Sequence, residues 1–405
     1  MLPTTTDNGA RLAAILPTGL AALGKGLGFD PANVLEAALG GAHAPVPEAL
    51  PALRSLVLVV VDGLGSANLR AAKAHAPVLT ALAPRRIETV VPSTTGAALT
   101  SLATGRLPGA HGLIGYRIRH PELGLRSTLK EWHGIDDVRS WQLAAPLWPL
   151  AEGIGARAVA IGRSAHATGG LTEAILSGTE YHAAQTIAER FAVASGLLRE
   201  GAPTLAYLYI DELDRAGHHD GWQSEIWQRR LGALDRALDD LLRTLPGDTG
   251  VLVTADHGMI DVPGPRMLIM DQDPIYGAGG AVAQVGGEPR MRSLYLAPGA
   301  DADEVSAAVR RQLGKTAWVG TRDEAIAADW FGPVAPGVAD RLGEVLVTPR
   351  GQTALMLSSD QPAALAMVGQ HGGLSAEERG VPLALGGALA GTGFAAAVTS
   401  VSRFV

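Results

Sequence analysis

The sequence predicts a mixed α/β fold in which helices cover both faces of a largely parallel central sheet. Short apolar runs rich in valine, leucine and isoleucine recur along the chain, and such runs are typical of strands buried on both faces. Three of these runs end shortly before an aspartate, at Asp62, Asp211 and Asp256. Ligand groups in open α/β sheets lie where strands end and loops begin, so we expect a site at these strand ends.

The first of these strands is predicted over residues 56–61, which read Leu-Val-Leu-Val-Val-Val. Asp62 follows directly, and Gly63 and Gly65 allow the backbone to turn tightly beside it. A carboxylate in this position is suited to hold a cation, or it caps the next helix. The stretch by itself leaves both interpretations open.

The segment at residues 91–105 combines hydroxyl side chains with a helix start. Ser93, Thr94 and Thr95 are all candidate N-caps, and a helix of small residues is predicted to run from them to Gly105. A hydroxyl there feels the positive end of the helix dipole and the free backbone N–H groups, which stabilise an alkoxide and the anion it attacks. With two adjacent threonines, one can cap the helix and the other can act as a nucleophile. Plain N-capping is the alternative explanation for either residue.

Two later segments carry acidic and imidazole groups together. Asp214 and His218 are four residues apart, so on a helical turn both side chains reach one ion. A solvated charged loop is the alternative for this segment alone. Asp256 and His257 stand at the end of a buried strand and precede a glycine, which is a more specific pattern than the earlier two.

The remaining elements complete this architecture. His371, flanked by glycines just before the last strand, is placed to reach back into the site, whereas His111 is predicted to be a structural turn residue. The other core elements are helices over residues 66–83 (interrupted at Pro77), 182–199 and 222–245, and strands over residues 86–90, 156–161, 204–210 and 381–385.

Changes in composition divide the chain into three parts. Residues 1–50 are rich in Ala, Gly and Pro and are predicted to form an N-terminal extension packed on the core. The metal-binding α/β core is predicted over residues 51–261 and 366–405. Residues 262–365, rich in Gly and Pro with hairpin-like strands and one helix, are predicted to be an inserted cap.

The composition excludes several kinds of protein. The chain has 405 residues, 47% of them hydrophobic, which is enough for a large core. It has no cysteine, so disulfides, thiolate metal sites and a cysteine nucleophile are excluded. The net charge of −7 argues against a nucleic-acid polymer as partner. Neither a membrane span nor a signal peptide is apparent, and we expect a cytoplasmic protein.

Six side chains gather at predicted strand and helix ends, and their donor atoms indicate metal binding. Three oxygen and three nitrogen donors suit two ions of the Zn²⁺ type better than Ca²⁺ or Mg²⁺, and manganese accepts the same donors. The six residues are Asp62, Asp214, His218, Asp256, His257 and His371.

The order of these motifs resembles the alkaline phosphatase superfamily, and more closely the type I phosphodiesterase/nucleotide pyrophosphatase family. The motifs are Asp-Gly, Thr, Asp-x-x-Gly-His, Asp-His-Gly and His-Gly-Gly, and the resemblance covers about residues 55–265 and 368–404. It implies an alkaline-phosphatase-like fold and a two-metal hydrolase that cleaves phosphodiester or pyrophosphate bonds of a small-molecule substrate, nucleotides included.

The resemblance also implies a role for each residue. One metal would be held by Asp62, Asp256 and His257, and the other by Asp214, His218 and His371. The family's nucleophile stands nine residues before the Thr-Gly that closes its helix, which gives Thr95 here, with Thr94 as the alternative. A covalent phosphothreonine intermediate follows from that assignment.

One departure from the family pattern concerns the residue that contacts the phosphoryl group. Relatives that cleave nucleotide diesters place an asparagine after His-Gly-Ile-x-x, whereas here the sequence from His111 leads to Tyr116. A tyrosine hydroxyl also donates to a phosphoryl oxygen, from a different distance. Two other readings stay open: a phosphomonoesterase or manganese-dependent phosphomutase of the same superfamily, and a non-catalytic, metal-stabilised binding protein.

Overall fold

A seven-stranded sheet forms the centre of the computed structural model, which describes residues 2–5 and 7–405. We number its strands in chain order, and they lie side by side in the order β2-β7-β6-β1-β5-β3-β4. They are β1 (Ser55–Val61), β2 (Arg85–Glu88), β3 (Arg157–Gly162), β4 (Glu180–Ala183), β5 (Thr204–Ile210), β6 (Thr249–Thr254) and β7 (Gly380–Gly387).

The pairing of these strands brings three carboxyl ends to one edge. β1 is parallel to both neighbours, with Val61 opposite Ile210 of β5 and Val60 opposite Thr254 of β6. β3 is parallel to β5 and β4, and β7 runs antiparallel between β6 and β2. The predicted, largely parallel sheet is therefore confirmed, and its strands β1, β5 and β6 deliver the residues that follow them to the same place.

Helices flank this sheet. All seven residues of β1 are buried, as expected for a strand covered on both faces. The helices span Ala10–Ala13, Ile15–Gly26, Pro31–Ala38, Ser66–Ala71, Pro77–Ala81, Thr95–Thr104, Pro108–His111, Val138–Trp141, Trp148–Gly153, Gly170–Leu176, Ile187–Arg199, Glu212–Asp220, Glu225–Thr244, Ala302–Leu313, Arg322–Ala327, Pro362–Leu365, Ala376–Arg379 and Phe394–Val401. None of these described helices has the length and apolar character needed to cross a membrane.

One predicted helix boundary is wrong. The segment predicted as a helix over 182–199 begins with the end of β4, and its helix starts only at Ile187. The side chain of Thr186 accepts a hydrogen bond from the backbone N–H of Glu189, and Glu189 reciprocates at the backbone of Thr186. This capping box fixes the start of the helix four to five residues later than its apolar pattern suggests.

The N-terminal residues are a layer of the core. The helix Ile15–Gly26 is buried from Ile15 to Gly24, and Gly19 lies so close to β1 that an added Cβ would come within 2.7 Å of Leu56. Its leucines and alanines join the same apolar cluster as the central strands. The residues predicted as an extension thus complete one face of the fold.

A second, smaller sheet occupies the region predicted as the cap. Its four antiparallel strands lie in the order Val282–Glu288, Met291–Leu296, Val345–Pro349 and Ala317–Thr321, and the helix Ala302–Leu313 packs on it. Three two-stranded pairs complete the sheet structure: Met267–Ile269 with Ala354–Met356, Ile260–Asp261 with Gly369–Gln370, and Arg117–His120 with Gly124–Ser127.

A buried ion pair joins this cap sheet to the core. Arg290, in the hairpin turn of the cap, donates from Nε and Nη2 to the two carboxylate oxygens of Glu378 at 2.8 and 2.7 Å. Both side chains are fully buried. The two-point geometry ties the cap hairpin to the short helix Ala376–Arg379, which carries Glu378.

Candidate metal centre and active site

Two strand ends of the central sheet build the first cluster of metal-ligating side chains. Asp62 follows β1, and Asp256 and His257 follow β6. Each of the three offers a ligand atom, and these atoms lie within 4.8 Å of one another. We call this cluster the inner triad, because its side chains are at most 5% exposed.

A second cluster, the outer triad, lies beside the first. Asp214 and His218 are on the helix Glu212–Asp220, which begins directly after β5, and His371 comes from the loop before β7. Their ligand atoms also lie within 4.8 Å of one another. The ring of His371 stacks on that of His257 at a centroid separation of 3.6 Å, so the two triads are immediate neighbours.

The histidine rings are oriented by the backbone. Nδ1 of His257 lies 3.0 Å from the carbonyl oxygen of Gly258, Nδ1 of His218 lies 2.8 Å from that of Gly369, and Nδ1 of His371 lies 3.0 Å from that of Ser93. Because a carbonyl only accepts, each Nδ1 carries the proton and each Nε2 presents a lone pair to its triad. This is the tautomer that metal-ligating histidines adopt.

Each carboxylate of the two triads has an oxygen atom that no protein group satisfies. Oδ1 of Asp62, Oδ1 of Asp214 and Oδ2 of Asp256 are buried and have no hydrogen-bond partner in the described part of the chain. A buried carboxylate oxygen without a partner is costly unless a cation meets it. Oxygen and nitrogen donors in sets of three therefore fit a divalent metal ion in each triad, with a coordination position left open.

Burial also sets the protonation of these side chains in the protein without metal. Burial, aided by the charges of Asp214 and Asp256, holds the pKa of Asp62 well above its usual range. Burial raises the pKa of Asp256 to about 7, and it lowers the pKa of His257 to about 4 and that of His371 to about 3. The two imidazoles are thus neutral at pH 7, as ligands must be.

The two candidate threonines have different surroundings. Thr94 is the N-cap of the helix Thr95–Thr104, and its hydroxyl accepts from the backbone N–H of Ala97 at 3.4 Å. Thr95 is the first helical residue, and its hydroxyl lies 3.1 Å from Nε2 of His257 in the inner triad. Thr94 is buried, whereas Thr95 is partly exposed to the cavity described below. One threonine thus caps the helix and the other faces the metal ligands.

Ser93 connects this helix start to the outer triad. Its hydroxyl donates to the carbonyl oxygen of Gly373 at 2.9 Å and accepts from the backbone N–H of Gly372 at 3.2 Å. Its carbonyl oxygen receives the Nδ1 proton of His371. The threonine turn and the His-Gly-Gly loop therefore form one unit.

Sequence reasoning missed a tyrosine that orients Asp62. The hydroxyl of Tyr209, near the end of β5, donates to Oδ2 of Asp62, which leaves Oδ1 directed at the triad. Strand alternation is the signal that could have found it, since Tyr207 and Tyr209 point to the same face.

His166 lies beside the helix that carries the outer triad. Its Nε2 lies 3.1 Å from Oδ2 of Asp211, which Arg163 also contacts at 2.8 Å.

A cavity of about 1000 Å³ opens over both triads. Its wall includes Thr95 and Tyr116 from the core and residues of the cap, so Tyr116, the predicted phosphoryl contact, lines the same cavity as Thr95. His111 lies elsewhere, buried with its Nε2 2.9 Å from the hydroxyl of Ser101. His219 is exposed beside Asp220 and belongs to neither triad.

Known structures share this fold. Phosphonoacetate hydrolase from Sinorhizobium meliloti 1021, in complex with phosphonoacetate, is 20% identical over 89% of this chain and 98% of its own, with a TM-score of 0.66. Murine ectonucleotide pyrophosphatase/phosphodiesterase 5 is 18% identical over 82% of this chain and 87% of its own, with a TM-score of 0.62. The human counterpart gives the same identity and coverage with a TM-score of 0.63.

The family is established by the sequence. No curated protein sequence matches the chain significantly. The model of the family described as type I phosphodiesterase/nucleotide pyrophosphatase, however, matches residues 56–374, which include both triads. The resemblance inferred from the motif order is thereby confirmed. The chain belongs to the type I phosphodiesterase/nucleotide pyrophosphatase family and is a metal-dependent phosphoester hydrolase.

Proposed function

We propose that this chain hydrolyses phosphodiester or pyrophosphate bonds of small molecules with two divalent metal ions and a covalent intermediate on Thr95. The observation that carries the proposal is the 3.1 Å distance from the Thr95 hydroxyl to Nε2 of His257, at the start of a helix. The murine relative supports it, because a threonine-to-alanine variant of that protein is inactive and is seen in complex with AMP.

The inner triad would hold one ion and the outer triad the other. The histidine content favours zinc, with manganese as the alternative. When bound, such ions neutralise phosphoryl charge, lower the pKa of a hydroxyl or a water, and stabilise the leaving oxygen. The three carboxylate oxygens without partners are the protein's side of this arrangement.

Thr95 acts as the nucleophile in this account. Its Oγ1 gives up the hydroxyl proton and forms a bond to phosphorus while the bond to the leaving group breaks. The leaving oxygen takes up a proton and departs as an alcohol or phosphate, which gives phosphothreonine. Backbone N–H groups in the first turn of its helix face the phosphoryl oxygens, and the helix dipole favours their negative charge. Tyr116, in the same cavity, would donate a hydrogen bond from its hydroxyl group to one of these oxygens.

Water completes the cycle. It attacks phosphorus from the side that the first leaving group vacated, and the phosphorus–Oγ1 bond breaks, which restores Thr95 and releases a phosphomonoester or phosphate. Nucleotides belong to the proposed substrate range, since the murine relative is seen with AMP.

The test compares a diester with a monoester on the metal-loaded protein. Bis-p-nitrophenyl phosphate should be cleaved with a higher kcat/KM than p-nitrophenyl phosphate. Preference for the monoester would instead indicate a phosphomonoesterase or a phosphomutase of the same superfamily. A protein that holds both ions and cleaves neither compound would contradict the proposal.

A further inference from the structure

Arg215, on the helix Glu212–Asp220, places a guanidinium group with free donors at the wall of the cavity. Its side chain is 62% exposed and lines the cavity over the two triads. Its one ion-pair contact among the described residues joins Nη1 to Oδ2 of Asp211 at 3.9 Å, which is too long for a hydrogen bond. The N–H groups of Arg215 are therefore available to a ligand.

Two other arginines already balance the charge of Asp211. Nη1 of Arg163 donates to its Oδ2 at 2.8 Å, and Nη1 of the fully buried Arg190 lies 3.8 Å from its Oδ1. Arg190 also pairs with Glu212. We call these three arginines and two acids the arginine cluster, and it carries one net positive charge before any histidine is counted. A positive charge at a cavity wall attracts an anionic group.

The helix holds Arg215 next to the outer triad. Arg215 directly follows Asp214, and it precedes His218 by three residues in the same helix. Side chains with that spacing are neighbours on a helix surface, with about 5–6 Å between their Cβ atoms. A group that binds Arg215 therefore lies within one helical turn of a ligand of the outer triad.

The cavity has room for a substrate that reaches from the triads to the arginine cluster. Its volume of about 1000 Å³ is at the upper end of the range for pockets that enclose drug-sized ligands. His166, which contacts Asp211 through Nε2, also lines it, so the cluster is open to this space. A phosphoryl group at the triads leaves space for a second group at Arg215.

The free guanidinium selects the chemistry of that second group. Carboxylate and phosphate groups both accept two parallel N–H bonds from a guanidinium, and their charge strengthens those bonds. A neutral amide accepts a weaker bond, and an ammonium group is repelled. The residues at this end of the cavity therefore favour an anionic group.

We propose that Arg215 binds a second anionic group of the substrate, a phosphate or a carboxylate, so that phosphoesters and pyrophosphates that carry such a group are preferred over those with an uncharged substituent. The proposal rests on the proposed function, because the second group reaches Arg215 only when the phosphoryl group lies at the two triads.

Binding of non-hydrolysable phosphonates to the metal-loaded protein tests this subsite without turnover. Isothermal titration calorimetry would compare carboxyalkylphosphonates and alkylbisphosphonates of several chain lengths with the carbamoylalkyl- and aminoalkylphosphonates of the same lengths. We expect the best anionic compound to bind about tenfold more tightly than its isosteric carbamoyl counterpart at low ionic strength, the effect of charge-assisted hydrogen bonds at a partly exposed site. The amino compounds should show no gain, and the two anionic series show whether a carboxylate or a phosphate is preferred.

Three variants assign the preference to Arg215. Arg215→Met should abolish the tenfold preference and leave the affinity for the carbamoyl compounds within about twofold. Arg215→Lys should keep part of the preference, because the charge remains while the two-point geometry is lost. Lys130→Met removes another cation of the same cavity wall and should leave the preference within about twofold. Metal content, measured before and after each titration, and melting temperature reveal loss of the ions or a folding defect.

The outcomes separate this subsite from the hydrolase proposal. No gain for either anionic series in the wild type, a gain that survives in Arg215→Met, or an equal loss in Lys130→Met would each overturn the subsite. If diester hydrolysis is found in those cases, the hydrolase proposal stands. If the preference depends on Arg215 but no diester is cleaved, the hydrolase proposal fails and the subsite is retained as a binding feature.

Discussion

The inner and outer triads offer the same number of ligands to a metal ion but differ in burial and in charge. The inner triad has two carboxylates and one imidazole and is almost completely buried. The outer triad has one carboxylate and two imidazoles, and its Asp214 and His218 side chains are 14% and 23% exposed. A divalent ion balances the formal charge of the inner triad, whereas it leaves the outer triad with one net positive charge.

This difference indicates a division of labour. Two buried carboxylates repel each other and are poorly solvated, so the inner triad depends most strongly on its ion. The Thr95 hydroxyl lies against this triad, and in the proposed mechanism it loses its proton there. The outer triad, which is more open and carries residual positive charge when loaded, suits the exchange of leaving groups and water.

Removal of the nucleophile should have the largest effect. Thr95→Ala is expected to lower kcat for a diester by about 10³-fold or more, because the covalent step is lost. The inner triad should still bind its ion, since no ligand has changed. Steady-state kinetics together with elemental analysis of the variant provides the measurement.

Thr94→Ala is the matched control for that variant. It removes the helix cap and should cost about 1 kcal/mol of folding stability, seen as a lower melting temperature. Its kcat should fall far less than that of Thr95→Ala. Equal losses in the two variants, or an undiminished rate in Thr95→Ala, would show that Thr95 is not the nucleophile.

Loss of one ligand should affect the two triads unequally. Asp256→Ala should lose the inner ion and nearly all activity, and excess zinc should not restore it, because a buried cavity replaces a charged ligand. His218→Ala should also lose activity, but millimolar zinc should recover about tenfold or more of it, since water can complete the open outer site. Full recovery of Asp256→Ala by zinc would remove the distinction between the triads.

The dependence of metal affinity on pH should sharpen the same distinction. The pKa of Asp256 is about 7 without metal, so below pH 7 a proton competes with the ion, and affinity rises as the pH is raised. Between pH 6 and pH 8, zinc affinity of the inner triad should rise by about tenfold from Asp256 alone, and the raised pKa of Asp62 should make the rise larger. The His218→Ala variant, which retains this triad intact, is suited to a competition titration with a chelator.

The metal affinity of the outer triad should depend less strongly on pH, because of the state of Asp214. Burial alone would raise its pKa, but the neighbouring histidines outweigh that effect and the pKa is lowered. Its carboxylate is therefore already ionised over the same pH range. A steeper pH dependence in a variant that retains only the outer triad would contradict this reasoning.

Tyr209→Phe should give the smallest effect among the substitutions at the metal site. The variant removes the hydrogen bond that orients Asp62 and leaves every ligand in place. Loss of such a supporting bond typically lowers metal affinity or activity by about tenfold. The reduction should appear as weaker zinc binding in a competition assay, with diester KM unchanged. A variant with wild-type zinc affinity would show that Tyr209 does not position Asp62.

The predictability of each feature from the sequence depends on how local its cause is. β1, β5 and β6 are apolar runs that any buried parallel strand requires, so their ends, and with them Asp62 and Asp256, could be located in advance. The choice of Thr95 over Thr94 depends on the family pattern, because the residues alone do not show which hydroxyl faces His257. The start of the helix at Ile187 was readable from its capping box, but the apolar periodicity obscured it.

Other features have no local signal. Glu288 lines the cavity because the cap packs against the core, and Tyr209 contacts Asp62 because their strands are neighbours in the sheet. In the sequence, each looks like an ordinary strand residue. The depth at which the helix Ile15–Gly26 is buried has no local signal either, because an Ala- and Gly-rich helix lacks a strong polar face whether it lies inside or outside.

Anomalous diffraction from crystals of the zinc-loaded protein tests the central claim most directly. We predict two strong peaks per chain, one at ligand distance from Asp62, Asp256 and His257 with Thr95 beside it, and one at ligand distance from Asp214, His218 and His371. A single peak, or peaks at other side chains while both triads remain metal-free, would contradict the account.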